Sequence, residues 1–108
     1  MAMTREIVDL VGSSGRSYRF RVWADDAAHI PIAGNYAFLK IGPESYEVLF
    51  LGQTDDLSGA RARWALAQRR GATHLYTRLN VSGSVRRTEH EDLMAAYGPP
   101  LNGTLGGT

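Results

Sequence analysis

Hydrophobic and polar positions change their period several times along this chain, and each change marks an element. In residues 5–23, REIVDLV and YRFRVW flank the turn cluster GSSGRS, with Tyr18, Phe20 and Val22 alternating with Arg19 and Arg21. Period two around a Gly/Ser turn predicts a β-hairpin with one face in the core and one in water. ADDAAHIPIAGN reads as a connector of small and turn residues. Then NYAFLKI and YEVLFLG form two apolar runs separated by GPES. These predict a second hairpin, buried in the centre of a sheet.

After Gly52 the period lengthens. QTDDLSGARARWALAQRRG has acids at its start, Leu57, Ala60, Trp64 and Ala67 on one stripe, arginines in its last turn and Gly71 as a stop. That pattern predicts one helix with its arginines outward. ATHLYTRLNV returns to period two, with Leu75, Thr77 and Leu79 on one face and His74, Tyr76 and Arg78 on the other, and predicts a strand. SGSVRRTEHEDLMAAYG predicts a final helix from about Ser84, halted by Gly98, Pro99 and Pro100, and the Gly-rich tail 103–108 is expected to be flexible. The expectation is an α+β domain: a small mixed sheet, two main helices packed on it, and the hairpin 5–23 extending it.

Composition narrows the class. At 108 residues and 44% hydrophobic content the chain has enough apolar material for one compact domain, not for separate catalytic and binding domains. The absence of cysteine excludes disulfides, thiolate zinc sites and cysteine nucleophiles, and suits a reducing, cytoplasmic setting. The segment MAMTREIVDL lacks a basic start followed by an apolar run, and no stretch has the length of a membrane span, so a soluble protein without a membrane partner is expected.

The formal charge is only +1, yet residues 57–88 hold seven arginines and no acid. Of these, Arg69, Arg70, Arg78, Arg86 and Arg87 are candidates for contacts to nucleic-acid phosphates, against the plainer reading of a solvated basic surface. A second dense stretch is RRTEHEDLMAAYGPPLNG, residues 86–103, where His90 lies between Glu89 and Glu91. With no second histidine at i+3 or i+4, His90 reads as a surface helical residue before it reads as a ligand. Glu91 could pair with Arg87 one turn back, which would be structure without function. His74 is open between a cleft and the underside of a helix, and Asn102 is expected to fix the chain's exit through side-chain to backbone hydrogen bonds.

The order strand, strand ending in Gly52, helix, strand, helix ending in Pro and Asn resembles a GIY-YIG nuclease domain over residues 34–102. Gly34-Asn35-Tyr36 resembles the first signature and Phe50-Leu51-Gly52 the second. GQTDDL is similar to the segment that follows, and Arg87, Asp92, Leu93, Met94, Pro99, Pro100 and Asn102 fall on the pattern of the last helix. The resemblance implies metal-dependent phosphodiester hydrolysis, in which the first tyrosine activates water, a second tyrosine and an arginine position water and phosphate, and a glutamate binds magnesium or manganese.

Carried over by position, Tyr36 matches, Phe50 replaces the second tyrosine, and Ala60 stands where the arginine belongs, with Arg61 and Arg63 beside it. His90 stands where the metal glutamate belongs, and Glu91 is rotated about 100° from it around the helix. The resemblance therefore implies a domain that binds or acts on nucleic acid, chiefly DNA, with catalysis weak or lost. One alternative is an active endonuclease in which Arg61 or Arg63 and Glu91 take over. Another is a protein-interaction module that uses the exposed edge of the N-terminal hairpin.

Overall fold

The computed structural model describes residues 6–23 and 31–105, so residues 24–30 of the connector and 106–108 of the tail lie outside the described residues. Five strands, β1 (Ile7–Val11), β2 (Ser17–Val22), β3 (Gly34–Ile41), β4 (Tyr46–Thr54) and β5 (His74–Leu79), form one sheet in the order β1-β2-β5-β3-β4. Every pairing is antiparallel, so the expected mixed sheet is corrected. The reason is topological: β5 returns between β2 and β3 and runs against both. β3 is interior, beside the central β5, but β4 is an edge strand, a position that its apolar run VLFLG does not reveal.

The helical segment after β4 is divided. Leu57–Ala62 is a 3₁₀ segment, Arg63 is the junction, and α1 is the six residues Trp64–Arg69. Ser58 and Gly59 are poor α-helix formers, and the buried pair Leu57 and Ala60, three apart, suits the tighter winding. Asp56 caps the start by accepting from the Ser58 amide at 3.0 Å. The expected stripe holds, since Leu57, Ala60, Trp64 and Ala67 are all buried. The second helix, α2 (Gly83–Tyr97), starts one residue before Ser84 with Ser82 as its N-cap, and ends at Gly98 in the left-handed conformation.

The strand periodicity sorts the core into two clusters, one on each sheet face. Tyr36, Phe38, Phe50 and Leu75 pack with Leu57, Ala60, Trp64 and Ala67 on one side. Val8, Leu10, Tyr18, Phe20, Ala37, Leu39, Leu51 and Tyr76 pack with Leu93 of α2 on the other. A bulge in β4, where Phe38 faces Phe50 but Leu39 faces Val48, leaves Leu49 as the extra residue, so Leu49 and Phe50 both join the first cluster.

The exit of the chain closes the β4 edge. Asn102 Oδ1 accepts from the Leu51 amide at 3.0 Å, its Nδ2 donates to the Leu51 carbonyl at 2.8 Å, and the Leu101 amide donates to the Leu49 carbonyl at 2.9 Å. One side chain thus imitates a paired strand, as expected for Asn102. The expectation of a flexible tail from residue 103 is corrected for residues 103–105, because the Thr104 and Leu105 amides donate to the Leu101 carbonyl and Leu105 packs on the first cluster. Asn102→Ala, which strips both bonds from β4, is expected to cost about 1–2 kcal/mol of stability. Urea unfolding of the two proteins checks this, and equal midpoints would contradict it.

Candidate functional site

Tyr36 sits in the middle of the sheet, opposite Gly52 on β4 and Thr77 on β5. Its ring is held by Phe50 (centroids 5.9 Å apart) and Phe38 (5.5 Å), and it lies over Gly52, where an added Cβ would come 2.2 Å from the Tyr36 Cζ. Gly52 is therefore the floor on which the Tyr36 ring rests. The residue is 3% exposed, so its hydroxyl is the part left for chemistry.

Arg63 reaches that hydroxyl. Its Nη1 donates to Tyr36 Oη at 3.1 Å, and its guanidinium stands 5.9 Å from the centre of the Phe50 ring. Ala60, at the position that carries the arginine in the resembled pattern, is a buried residue at the cleft wall with no guanidinium to offer, and the residue nearly one helical turn later, Arg63, supplies it. Arg61 lies instead with its guanidinium 4.2 Å from the Trp23 ring centre.

Tyr36 and Arg63 line an open cleft of about 340 Å³ together with Gln53, Thr54, Gly59, Ala60 and Ala62, and the described lining holds no carboxylate. Because the phenol oxygen accepts from Arg63, its own proton is free to donate, and the remaining guanidinium N–H groups can donate beside it. Convergent donors with a fixed positive charge suit a phosphate oxygen.

The residues of 86–103 have other employment. α2 docks on the sheet face opposite Tyr36, where the Asn35 Nδ2 donates to the Arg86 carbonyl at 3.2 Å. Glu89 is clasped by Arg78 Nε at 2.9 Å and by Asn80 Nδ2 at 2.9 Å, and the same Asn80 nitrogen donates to the buried Asn35 at 3.0 Å. Arg86 Nη1 donates to the Asn80 and Val81 carbonyls. Arg78 and Arg86, expected at phosphates, are thus tied into the joint between α2 and the sheet. Arg69 and Arg70 at the end of α1, and Arg87 on α2, are exposed but belong to elements on opposite faces.

Asp92 was absorbed by the family pattern, but its carboxylate holds the N-terminal hairpin. It accepts from the Ser14 amide (2.8 Å), the Ser14 hydroxyl (2.6 Å) and the Tyr18 hydroxyl (2.7 Å). Hydrogen bonds from Ser14 and then Tyr18 hold the pKa of the Asp92 carboxyl below the ordinary carboxylate range, while burial and Asp92 push that of the Tyr18 phenol up. The clamp depends on α2 crossing a hairpin about 75 residues upstream, and no local pattern signals it.

His90 corrects the surface reading: it is 8% exposed, on the inner face of α2. Burial pushes its pKa below the ordinary imidazole value, with only a weaker opposing pull from Glu91. The folded chain therefore prefers neutral His90, whereas the unfolded chain takes up the proton near pH 6.5. The resulting stability is fully present above that pH and is lost as pH falls below it. Thermal unfolding from pH 7.5 to 5 should show a declining midpoint that flattens in His90→Gln, and parallel curves would contradict this.

Glu91 is exposed, and among the described residues no group of three His, Asp or Glu side chains could hold a metal ion. These donors do not fit a divalent metal. No helix among the described residues is long and apolar enough to cross a membrane. No protein-family model, curated protein or solved structure matches this chain.

Proposed function

We propose that this domain binds nucleic acid through the Tyr36–Arg63 cleft, and that phosphodiester hydrolysis there is weak or lost. The observation that carries the reading is the 3.1 Å contact from Arg63 to the Tyr36 hydroxyl at an open cleft whose described lining has a cation and no acid. A phosphodiester entering it meets the phenol proton and the guanidinium fork, which bind and orient the phosphate oxygens. The GIY-YIG resemblance supports the same reading, because Tyr36, Gly34 and Gly52 are where that pattern wants them and Arg63 stands in for the displaced arginine.

The same contact would be half of a rearranged nuclease site. The other half is Glu91, an exposed residue of a helix packed on the far face of the sheet. Incubation with nicked, supercoiled and branched DNA plus magnesium or manganese separates the two. Retention on DNA without cleavage, weakening steeply with salt, is expected. Clean cleavage that Tyr36→Phe abolishes would overturn the loss of hydrolysis, and absent or salt-insensitive binding would overturn the nucleic-acid reading.

A further inference from the structure

The sheet face that carries Tyr36 is covered by the 3₁₀ segment and α1 over β3, β4 and β5, whereas among the described residues no helix covers the half made by the N-terminal hairpin. Because Val8, Leu10, Tyr18 and Phe20 point to the α2 side, the alternation puts Asp9, Val11, Arg19 and Arg21 on the Tyr36 side. All four are exposed, Val11 by 47%, and Leu79 of β5 is 56% exposed. The register aligns them with the cleft: Arg21 faces Thr77 across β2 and β5, Thr77 faces Tyr36 across β5 and β3, and Tyr36 faces Gly52. Arg21 and Tyr36 are thus two strand spacings apart in one row, roughly 10 Å between backbones. Arg19, one step along β2 on the same face, is held by Asp9 at 3.1 Å.

We propose that this half-sheet is a second contact surface for the nucleic-acid strand whose phosphate occupies the Tyr36–Arg63 cleft, an inference that rests on the proposed function. Arg21 contacts a phosphate further along that strand and supplies the net positive charge of this face, since Arg19 beside it is neutralised by Asp9. Exposed Val11 and Leu79 offer apolar contact to sugars and bases. A polynucleotide is the occupant that fits, because the Arg21 guanidinium stands in line with a guanidinium-lined cleft, and among the described residues the acid on this face, Asp9, is already paired to Arg19. The hairpin is in this view a functional extension that lengthens the binding track beyond the cleft.

The test uses the whole chain and two fluorescent single strands of the same composition, a trinucleotide and one of about 12 nucleotides, within the usual site size of such surfaces. Each is titrated over a series of salt concentrations. Arg63→Gln should weaken both. Arg21→Gln should weaken the longer strand alone and reduce its salt slope by about 0.7, the value of one lost single-strand phosphate contact. Lys40→Gln, an equal charge change at the far end of β3, should leave both unchanged. If Arg63→Gln weakens binding but Arg21→Gln does nothing, or does no more than Lys40→Gln, the half-sheet track is wrong and the cleft reading stands. If Arg63→Gln changes neither strand, the cleft reading fails and takes this inference with it.

Discussion

Replacing Gly34 by alanine is expected to cost about 3 kcal/mol, the upper end of overpacking penalties, and to lower the melting temperature by at least about 10 °C. Gly34 pairs with Thr54 on one side and Leu79 on the other, so its backbone is fixed by two ladders. A Cβ there would stand 2.3 Å from the Arg78 carbonyl oxygen and 2.6 Å from Leu57 Cδ1. The carbonyl belongs to β5 and cannot retreat without breaking the sheet, and Leu57 is wholly buried. Gly52→Ala meets the tip of the Tyr36 ring instead and should cost less, since a side chain can tilt where a backbone cannot. Gly59→Ala, with nothing within 4 Å of the new methyl, is the neutral comparison. Thermal unfolding by circular dichroism orders the three variants, and a Gly34→Ala protein as stable as Gly59→Ala would contradict the close packing of Gly34 against Arg78 and Leu57 as the reason for glycine there.

Arg63→Gln is expected to weaken nucleic-acid binding by about 10- to 100-fold, the range for losing a charged hydrogen-bonding partner of about 1.5–3 kcal/mol. The loss should be specific to this arginine. Arg61→Gln, whose guanidinium lies over Trp23, is expected to change affinity less. Tyr36→Phe removes the hydroxyl and keeps the ring contacts with Phe38 and Phe50, so it should preserve the fold while losing part of the affinity. Arg63→Lys restores the charge without the planar fork and should recover binding incompletely. Fluorescence anisotropy with one labelled oligonucleotide measures the series. Equal affinities for Arg61→Gln and Arg63→Gln would mean that net charge, not the Tyr36 contact, sets binding.

The fold and the cleft were legible in the chain to different degrees. Alternation marks the N-terminal hairpin, where a strand with one face in each environment writes period two into its sequence, and it marks β5, whereas β3 and β4 show as two apolar runs around a turn because both their faces are buried. It could not say that β4 is an edge, since the apolar run that suggests a central strand is protected by Leu101 and Asn102 from the far end of the chain. The helix with a Leu, Ala, Trp, Ala stripe was readable, but its division at Arg63 was not, and that division is what aims Arg63 at Tyr36.

The final helix misled most. Its inner positions are Arg86, Glu89, His90 and Leu93, a polar stripe that resembles a solvated face until Asn35, Arg78 and Asn80 are seen to answer it. A buried polar network of this kind depends on strand order, and strand order is not a local property of sequence. What looked like a metal-inviting cluster around His90 is, residue by residue, a helix joint and a hairpin clamp.

The most direct measurement is to titrate the isotopically labelled whole chain with a short oligonucleotide and follow backbone amide and arginine side-chain resonances by NMR. The account predicts that Gln53, Thr54, Gly59, Ala62 and the Arg63 guanidinium shift first and together, with the shifts suppressed by added salt. Shifts confined to the opposite face, at Arg16, Ser84 and Thr88, or no shifts at any salt concentration, would contradict it.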